Sequence, residues 1–515
     1  MRSYFYNQIC CVHICLIFIC MGDLNAQDVF SKYYENPEWI DVGSNKQLFV
    51  DDYLIEYKKS VDFVMNPPYQ TGEILIEADL PHERGGYVFL YSSVLKGKDG
   101  KIQVWYDFIR QKSDDPYDHD RHVGYAESTD GINFIKPNVG LHSVNGSREN
   151  NVVIPGVIGG SSVWIDPQAL PEHRYKTQAK TYPRDNYGER LPSKFHMHSS
   201  PDGIKWNFYS EINPHGPSDT QNIIFWDENL NKYLLFSRQR FFGRSVRRAE
   251  MKDLSSNIEN TGLVVWTDIT DQYTYFSDRE YKNKPEDIRN DVPMDYYGAT
   301  VFPYENVYIM LAQAFWHHLP DQGPGMRDVR LLVSRDSKEF TRIGSRKVFM
   351  GPGPSGRVDS KQVWALPNPI VMDDEIWIYY SGVNWDRAQR IDPDAPDGKR
   401  RAAISRAIMR LDGFVSVDAP YEGGEIITRP IKFKGNNLEI NADTGAGGSI
   451  RVEILDRNGY PFPDFSIDKS TWIIGNSVRF PVSWTSDRNL GSLQGETIRL
   501  RFVMKDCKLY SFQFK

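Results

Sequence analysis

The feature that most constrains the fold of this chain is a short phrase that recurs along it. The phrase occurs as Ser128–Phe134 (STDGINF) and Ser200–Trp206 (SPDGIKW), and more weakly as Ser334–Phe340 (SRDSKEF) and Ala249–Asp253 (AEMKD). An Asp-Gly pair between two apolar runs marks a tight hairpin, because glycine adopts positive φ without a steric penalty. Repetition at intervals of about 50 to 80 residues predicts the blades of a β-propeller rather than a sandwich.

The segments between these phrases predict short strands, and no convincing long amphipathic helix is evident. Four runs with period two are rich in aromatic and β-branched residues: Ile102–Tyr106, Tyr233–Ser237, Val307–Leu311 and Glu375–Tyr380. Such runs, separated by turn residues at short intervals, are typical of the all-β class.

The strands group into five units of about 65 to 70 residues, each within reach of a four-stranded blade with its loops. We therefore predict an all-β chain with a five-bladed β-propeller over residues 45–415. Residues 422–515 lack the recurrent phrase and show alternating strands with Gly-rich turns, which predicts a small C-terminal β-sandwich. A stabilising appendage is favoured over a separate carbohydrate-binding module for this segment.

The N-terminus predicts an export signal. Arg2 supplies a positive charge, Ile9–Met21 is an apolar stretch broken by one histidine, and Leu24–Ala26 offers a cleavage site. We interpret residues 1–26 as a signal peptide cleaved near Ala26, giving a periplasmic or secreted protein. A membrane anchor and a lipoprotein attached through Cys20 are weaker alternatives, since the apolar run is short for a span and bulky residues precede the cysteine.

Cysteine usage and charge narrow the class further. Four of the five cysteines lie in the predicted signal peptide, so only Cys507 remains and no intramolecular disulfide or cysteine metal site is expected. The 61 Lys and Arg against 68 Asp and Glu give a formal net charge of −7, which argues against nucleic acid as a partner. No cofactor and no membrane span are expected, while the many Asp side chains leave a structural Ca²⁺ open.

Acidic residues precede four of the five candidate inner strands, where a propeller faces its central funnel. They are Glu83, Asp219, Asp295 and Asp359. Glycosidic hydrolysis needs one protonated carboxyl group to donate to the leaving oxygen and a second, ionised one to activate water or attack carbon. We predict Glu83, Asp219 and Asp295 as catalytic residues and Asp359 as a substrate contact, against the plainer alternative that they cap turns or pair with arginines.

Further side chains near these strand ends are candidate substrate contacts: Arg84, Gln221, Tyr296, Trp164, His317 and Arg238. The aromatic rings would stack on sugars, and the arginines would bind an anionic group by bidentate contacts. Each has a competing structural interpretation as a core residue or a partner in an ion pair. No P-loop, dinucleotide fingerprint, nucleophile elbow or zincin motif occurs, which weakens the corresponding enzyme classes.

Several phrases carry a family resemblance: Gln47–Glu56 (QLFVDDYLIE), Tyr125–Gly131, Asn150–Val153, Arg174–Lys176, Ser334–Asp336 and Arg410–Phe414. Together they resemble exported bacterial proteins similar to glycoside hydrolase families 32 and 43. The resemblance implies a five-bladed propeller and a role in glycan degradation, often within polysaccharide-utilisation systems. The chain lacks the families' Asn-Asp-Pro-Asn, Arg-Asp-Pro and Glu-Gly-Pro phrases, so their catalytic residues are not transferred, and Asp51-Asp52 either lines the funnel or pins the N-terminus.

Three functions follow as hypotheses, with an oligo- or polysaccharide as the partner in each. The first is a glycoside hydrolase with a carboxylate acid/base mechanism in the funnel. The second is a non-catalytic glycan-binding propeller, which the missing family phrases favour. The third and weakest is a polysaccharide lyase, with Tyr296 or a histidine as base.

Overall fold

The computed structural model describes residues 38–88, 91–112, 119–156, 162–181, 194–212, 220–240, 244–254, 294–316, 325–343 and 347–515. The predicted signal peptide lies outside these ranges. Regular structure in the described residues consists of strands and short 3-10 helices, the latter at Pro81–Glu83, Pro171–His173, Pro463–Phe465 and Leu490–Leu493. The all-β prediction is thereby confirmed. No helix in the described ranges is long and apolar enough to cross a membrane.

The first half of the strands, in chain order, is β1 (Ile40–Gly43), β2 (Gln47–Leu48), β3 (Ile55–Lys59), β4 (Asp62–Met65), β5 (Tyr69–Gln70), β6 (Ile76–Glu77), β7 (Tyr87–Val88), β8 (Ser93–Lys96), β9 (Ile102–Gln111), β10 (His119–Ser128), β11 (Val152–Pro155), β12 (Val163–Ile165), β13 (Tyr175–Thr181), β14 (Lys194–Ser200), β15 (Asn207–Ile212) and β16 (Ile223–Asp227). The second half is β17 (Lys232–Arg240), β18 (Arg244–Met251), β19 (Met294–Tyr304), β20 (Val307–Trp316), β21 (Arg327–Ser334), β22 (Thr341–Arg342), β23 (Gln362–Ala365), β24 (Ile370–Met372), β25 (Glu375–Val383), β26 (Ala402–Arg410), β27 (Val415–Ala419), β28 (Gly424–Thr428), β29 (Ile431–Phe433), β30 (Leu438–Asp456), β31 (Asn476–Val482) and β32 (Ile498–Phe514).

These strands form five sheets. Sheet I contains β7 to β11, sheet II β12 to β15, and sheet III β16 to β18. Sheet IV consists of two antiparallel groups, β19 to β22 and β23 to β26, joined by one parallel pairing between Arg327 and Gln362. The terminal sheet contains β1 to β4 and β27 to β32.

Sheet IV is completed by the early strands β5 and β6, which both pair with β26. A segment from near the start of the chain is therefore hydrogen-bonded to a strand that ends at residue 410. This pairing ties the beginning of the sheet region to its end.

The recurrent phrase forms the same turn in its copies at Ser128, Ser200 and Ser334. In the first copy the Ser128 hydroxyl accepts a hydrogen bond from the Gly131 amide at 2.9 Å, and the Asp130 carboxylate accepts from the next two amides at 2.8 Å. The copies at Ser200 and Ser334 repeat the serine-to-aspartate and aspartate-to-amide bonds. The predicted tight turn is confirmed, and it follows β10, β14 and β21.

These turns also dock neighbouring sheets onto one another. The indole of Trp105 in sheet I donates to the Gly203 carbonyl of the sheet II turn at 2.6 Å. The Tyr379 hydroxyl of sheet IV donates to the Gly131 carbonyl of the sheet I turn at 2.8 Å. Gly203 has φ +75°, and a Cβ there would lie 2.5 Å from the Trp105 ring. The phrase is therefore scaffold.

The first strands of the groups contact one another through polar side chains. The Ser93 hydroxyl of sheet I accepts from the Val163 amide of sheet II at 2.8 Å. The Ser162 hydroxyl reaches the Asn222 carbonyl beside sheet III at 2.5 Å, and the Thr300 hydroxyl links the two groups of sheet IV. These bonds join sheet I to sheet II, sheet II to sheet III, and the two groups of sheet IV to each other.

The N-terminal strands β1 to β4 belong, by pairing, to the terminal sheet rather than to sheets I to IV. β3 pairs with β28, and β4 pairs with β27. Side chains alternate between two cores in the segment that begins at the end of β2. Phe49 lies in the core of the terminal sheet, while Leu48 and Val50 lie in the core beneath sheet IV. The sequence placed residues from 45 onward in the propeller, whereas strand pairing places residues 40–65 with the C-terminal strands.

Asp51 has a structural contact that answers a question left open by the sequence. The Arg335 guanidinium donates to both of its carboxylate oxygens, at 2.7 and 3.1 Å. Arg335 lies in the turn after β21, so the ion pair fastens the N-terminal segment to sheet IV. Asp51 therefore pins the N-terminus.

Candidate functional site

An aromatic cluster forms where sheets I and IV meet. We define it by its five rings: Tyr87, Tyr91, Tyr297, Trp364 and Trp385. Tyr91 precedes β8, Tyr297 lies on β19, and Trp364 lies on β23, so separate groups of strands contribute to one cluster. Tyr87 and Trp385 pack edge to face with ring centroids 5.0 Å apart.

Two guanidinium groups lie against the rings of this cluster. The Arg327 guanidinium is 4.1 Å from the Tyr297 ring centroid and 4.4 Å from that of Trp364. The Arg238 guanidinium, from sheet III, is 5.0 Å from the same Tyr297 ring. Cation–π contacts of this kind fix the planes of both partners. Tyr297 therefore contacts two guanidinium groups, one from sheet III and one from sheet IV.

Several buried polar atoms at this junction have no hydrogen-bond partner in the part of the chain that the structure describes. They include the Gln221 Oε1, the Ser92 Oγ, the Trp364 Nε1 and both terminal atoms of Gln313. Gln221 is otherwise placed by its Nε2, which donates to the Ser92 carbonyl at 2.8 Å. Native proteins seldom leave buried polar groups unpaired, so such a set indicates groups that pair with water or a ligand.

Asp107 is the most unusual side chain of the region. It lies in β9, where its neighbours Tyr106 and Phe108 point to the opposite face of sheet I. Only 1% of its surface is exposed, and neither carboxylate oxygen has a hydrogen-bond partner among the residues that the structure describes. A buried carboxylate without donors costs several kcal/mol when ionised, and it reduces that cost by binding a proton.

The electrostatics of Asp107 match this geometry. Burial raises its pKa to about 7, and the positive charge of Arg121 offsets part of the rise. The charge of Asp107 in turn contributes to the raised pKa of Tyr87, after the larger effect of burial. Asp107 therefore lies close to Tyr87, on the border of the aromatic cluster, with its proton available near neutral pH.

Glu83 is buried too, but its carboxylate accepts four hydrogen bonds. Its Oε2 accepts from the amides of Asp79 and Leu80 at 3.1 and 3.0 Å and from the Lys136 ammonium at 2.8 Å. Its Oε1 accepts from the Tyr106 hydroxyl at 2.5 Å. These contacts give Glu83 the surroundings of a structural carboxylate that holds a 3-10 helix against sheet I.

Asp359 is likewise engaged by its neighbours. It is fully buried, and Arg357 donates to both of its oxygens at 3.0 and 2.8 Å. The Tyr380 hydroxyl adds a third bond at 2.7 Å. The predicted substrate contact is thus a buried ion pair in the structure.

The remaining predicted contacts divide into two groups. Gln221 and Arg238 lie at the junction that holds the aromatic cluster. Trp164 packs 5.9 Å from Tyr233 in a core cluster, and Tyr296 is 1% exposed in the core between sheets III and IV. Arg84 is exposed directly after the 3-10 helix.

Three predicted residues are not placed by their side chains. Asp219 and His317 lie outside the described residues. Asp295 is described only as part of β19, paired with Phe315. The predicted convergence of Glu83, Asp219 and Asp295 in one funnel therefore stays a prediction.

Sequence reasoning missed Asp107, Arg327 and Tyr297. A signal for Asp107 exists in the sequence, because it is the one charge within the apolar run Ile102–Ile109. A charge inside a buried strand is rare unless it is paired or functional. Arg327 and Tyr297 have no comparable local signal.

No group of three or more His, Cys, Asp or Glu side chains able to hold a metal ion occurs in the described ranges. Cys507, the one cysteine within them, is buried, and burial raises the pKa of its thiol to about 12. Its thiol is thus chemically unreactive at neutral pH.

Comparison with known proteins gives distant structural likenesses. No family model matches the chain, and no curated protein sequence matches it. Similar solved structures include an N-acetylgalactosamine deacetylase from F. plautii in complex with blood group B trisaccharide. It is 14% identical, with a TM-score of 0.41 over 69% of this chain and 97% of that one.

Two more similar structures are of proteins named as a phosphorylase and a glycoside hydrolase. A β-1,2-mannobiose phosphorylase from Listeria innocua is 11% identical, with a TM-score of 0.44 over 68% of this chain and 98% of that one. A thermostable family-43 glycoside hydrolase is 16% identical, with a TM-score of 0.39 over 68% and 96%. Such values are too distant to assign a family or an activity to this chain.

Proposed function

We propose that the protein is a carbohydrate-active enzyme that hydrolyses a glycosidic bond, with Asp107 as its general acid. The observation behind the proposal is the buried carboxyl group of Asp107, which accepts no hydrogen bond from the described part of the chain and borders an aromatic cluster. Burial raises its pKa to about 7, which favours proton donation near neutral pH. The raised pKa supports the acid role and would not suit a nucleophile.

The aromatic cluster supports a sugar as the substrate. Tyr87 is half-buried and packs edge to face on Trp385, which fixes its ring plane, so it offers a rigid surface for stacking. The unpartnered polar atoms of Gln221 and Ser92 would pair with sugar hydroxyls. A site that mixes flat rings with buried amides and hydroxyls suits a ligand that is apolar on its faces and polar at its edges.

In the proposed reaction the Asp107 carboxyl group donates its proton to the glycosidic oxygen as the bond to the anomeric carbon breaks. A second, ionised carboxylate attacks that carbon or activates the incoming water. We propose Asp219 or Asp295 for this role. Asp219 immediately precedes Thr220 and Gln221, and Asp295 precedes Tyr297 by two residues, so both lie close in the chain to the junction.

The proposal extends to the architecture of the sheets and to the cellular location of the protein. We propose that the five antiparallel groups are the blades of a five-bladed propeller, since hydrogen bonds at their first strands link sheets I, II and III in turn and the two groups of sheet IV to each other. We propose that the terminal sheet folds as a sandwich around its own core. Export to the periplasm or the medium is proposed from the N-terminal segment, which also fits an extracellular oligosaccharide substrate.

The test is a screen of polysaccharide oligomers with product analysis by mass spectrometry. We expect the full-length mature protein to release a shortened glycan carrying one added water per cleavage. The Asp107→Asn variant should lose about 10²- to 10⁴-fold in rate. A matched control is Asp359→Asn, which removes a carboxylate bonded to Arg357 and should lower stability rather than the rate per folded molecule.

The outcomes separate the hypotheses. Saturable oligosaccharide binding without turnover would replace hydrolysis by the glycan-binding alternative. An unsaturated product would indicate a lyase. Full activity in Asp107→Asn would remove the residue from the mechanism.

A further inference from the structure

A second site lies in the terminal sheet, away from sheets I to IV. A cleft of about 310 Å³ opens on one face of this sheet. Its lining includes Tyr57, Glu425, Glu453, Leu455, Pro461 and Arg501. A volume of this size lies at the lower end of the range for small-molecule sites, which fits one or two sugar rings.

Strand register places the principal residues of this cleft in a single row. Tyr57 pairs with Ile427, Ile427 pairs with Arg501, and Arg501 pairs with Glu453. Residues directly opposite one another across strands lie on the same face. The row crosses three strand spacings, so Tyr57 and Glu453 lie about 14 Å apart at opposite ends of the cleft.

The charged residues of the row form one rigid network. Arg501 donates to Glu425 through Nη2 and Nε at 2.6 and 3.0 Å, and to Glu453 through Nη1 at 3.0 Å. The Ile467 amide donates to the other oxygen of Glu453, which is 3% exposed. A guanidinium has five N–H donors. Three are used here, so two remain for a ligand.

The network is pre-organised and yet open to solvent. Glu453 is buried, while the Arg501 side chain is 33% exposed and that of Glu425 20% exposed. A planar guanidinium held from two sides loses little entropy when it binds a ligand. These are the properties of a recognition site rather than of a core ion pair.

Tyr57 gives the cleft a stacking surface. Its ring is 44% exposed at the end of the row. Tyr460, which is 71% exposed, is the residue before Pro461 of the lining. An exposed aromatic ring beside bidentate polar groups presents both an apolar face and hydrogen-bonding atoms to a ligand.

We infer that this cleft is an accessory binding site for a neutral oligosaccharide, separate from the proposed catalytic site. Sugar rings stack on Tyr57, and vicinal hydroxyls pair with Arg501 and Glu425. Two carboxylates against one guanidinium leave the cleft with a net negative charge, which disfavours uronates and sulfated sugars. Both carboxylates accept bonds from the same cation, so the cleft binds glycan without cleaving it.

Affinity electrophoresis of the full-length mature protein tests this inference. The probes are galactomannan, arabinoxylan and mixed-linkage glucan as neutral polysaccharides, and polygalacturonate as the anionic one. We expect retardation by at least one neutral probe and none by polygalacturonate. Tyr57→Ala should weaken that retardation by about tenfold or more, and Tyr57→Phe should preserve it.

Two controls make the result specific. Tyr421→Ala removes a more exposed tyrosine (62% against 44% for Tyr57) that packs under Lys505 in the same sheet region, and it should bind as the parent does. Asp107→Asn should also bind normally, so failure of the proposed hydrolysis leaves this result unaffected. Retention of full binding by Tyr57→Ala, binding of polygalacturonate alone, or no binding of any probe would overturn the inference.

Discussion

The two faces of sheet I differ in how they treat a buried carboxylate. Tyr106 and Asp107 are consecutive in β9 and point to opposite faces. On the Tyr106 face, Glu83 is buried with four hydrogen-bond donors around it. On the other face, Asp107 is buried and has no donor within the described ranges. Burial is the same, so the presence or absence of donors is what separates a structural carboxylate from a chemically poised one.

The largest expected effect on stability lies on the Glu83 face. Glu83→Gln removes a buried negative charge that accepts from the Lys136 ammonium and from two backbone amides, and it leaves the largely exposed Asp79 as the charge partner of Lys136. We expect the free energy of unfolding to fall by about 2 to 3 kcal/mol in chemical denaturation. The matched control is Glu77→Gln. It breaks an ion pair with Arg401 in which both partners are about a third exposed, and it should cost less than about 1 kcal/mol.

An equal, small loss in both variants would show that Glu83 is not structural. The contrast between the two faces of sheet I would then disappear, and Glu83 would return as a candidate for catalysis.

The pH dependence of stability should differ in sign between the faces. His122 lies on the Glu83 face, with its ring 5.5 Å from that of Phe108, and burial lowers its pKa to about 4. The neutral His122 side chain therefore contributes fully to the free energy of unfolding above the unfolded pKa of about 6.5. About 2 to 3 kcal/mol of this stability is lost as the pH falls towards 4. Replacing the histidine by a group that does not titrate, in His122→Gln, should flatten the stability profile between pH 6.5 and 4. A profile of unchanged slope would exclude His122 as the source.

A smaller effect on stability is expected from Trp105, a structural residue on the Asp107 face. Trp105→Phe keeps an aromatic ring but removes the bond to the buried Gly203 carbonyl. We expect a loss of about 1 to 3 kcal/mol in the free energy of unfolding, with the rate per folded molecule preserved. Loss of activity at unchanged stability would assign the catalytic role to the whole face rather than to Asp107.

The sequence predicted those parts of the molecule that local rules determine. The turn at Ser128–Phe134 depends on a serine, an aspartate and a glycine within four residues, so its geometry follows from its own composition. Gln221 was predicted as a substrate contact because it directly precedes the apolar run that forms β16, and its side chain lies at the junction of the aromatic cluster. The same reasoning predicted Glu83 as a catalytic residue and Asp359 as a substrate contact. In the structure, each of these carboxylates is bonded by positively charged side chains of the protein. Glu83 ends a 3-10 helix that directs it towards Lys136, and Asp359 pairs with Arg357 two residues away.

Asp107 shows why the rest could not be predicted. Its distinguishing property is that no donor from another described element reaches it, and that is a fact about three-dimensional packing rather than about neighbours in the chain. The pairing of β1 to β4 with the terminal sheet was hidden for the same reason, since strands 350 or more residues apart leave no local signal of their contact.

The most direct test of the account is the combined activity and pH-dependent stability of Asp107→Asn. Because the folded pKa is raised, ionisation of Asp107 costs stability as the pH rises from about 4 to 7 in the parent protein. The variant lacks this cost, so the difference in free energy of unfolding between variant and parent should grow in favour of the variant across that interval. At pH 8 the variant should be more stable than the parent by about 1 kcal/mol or more. Its hydrolytic rate should fall at the same time by about 10²-fold or more. A variant that is destabilised at pH 8, or that keeps the parent's rate, would contradict the assignment of Asp107 as a buried general acid.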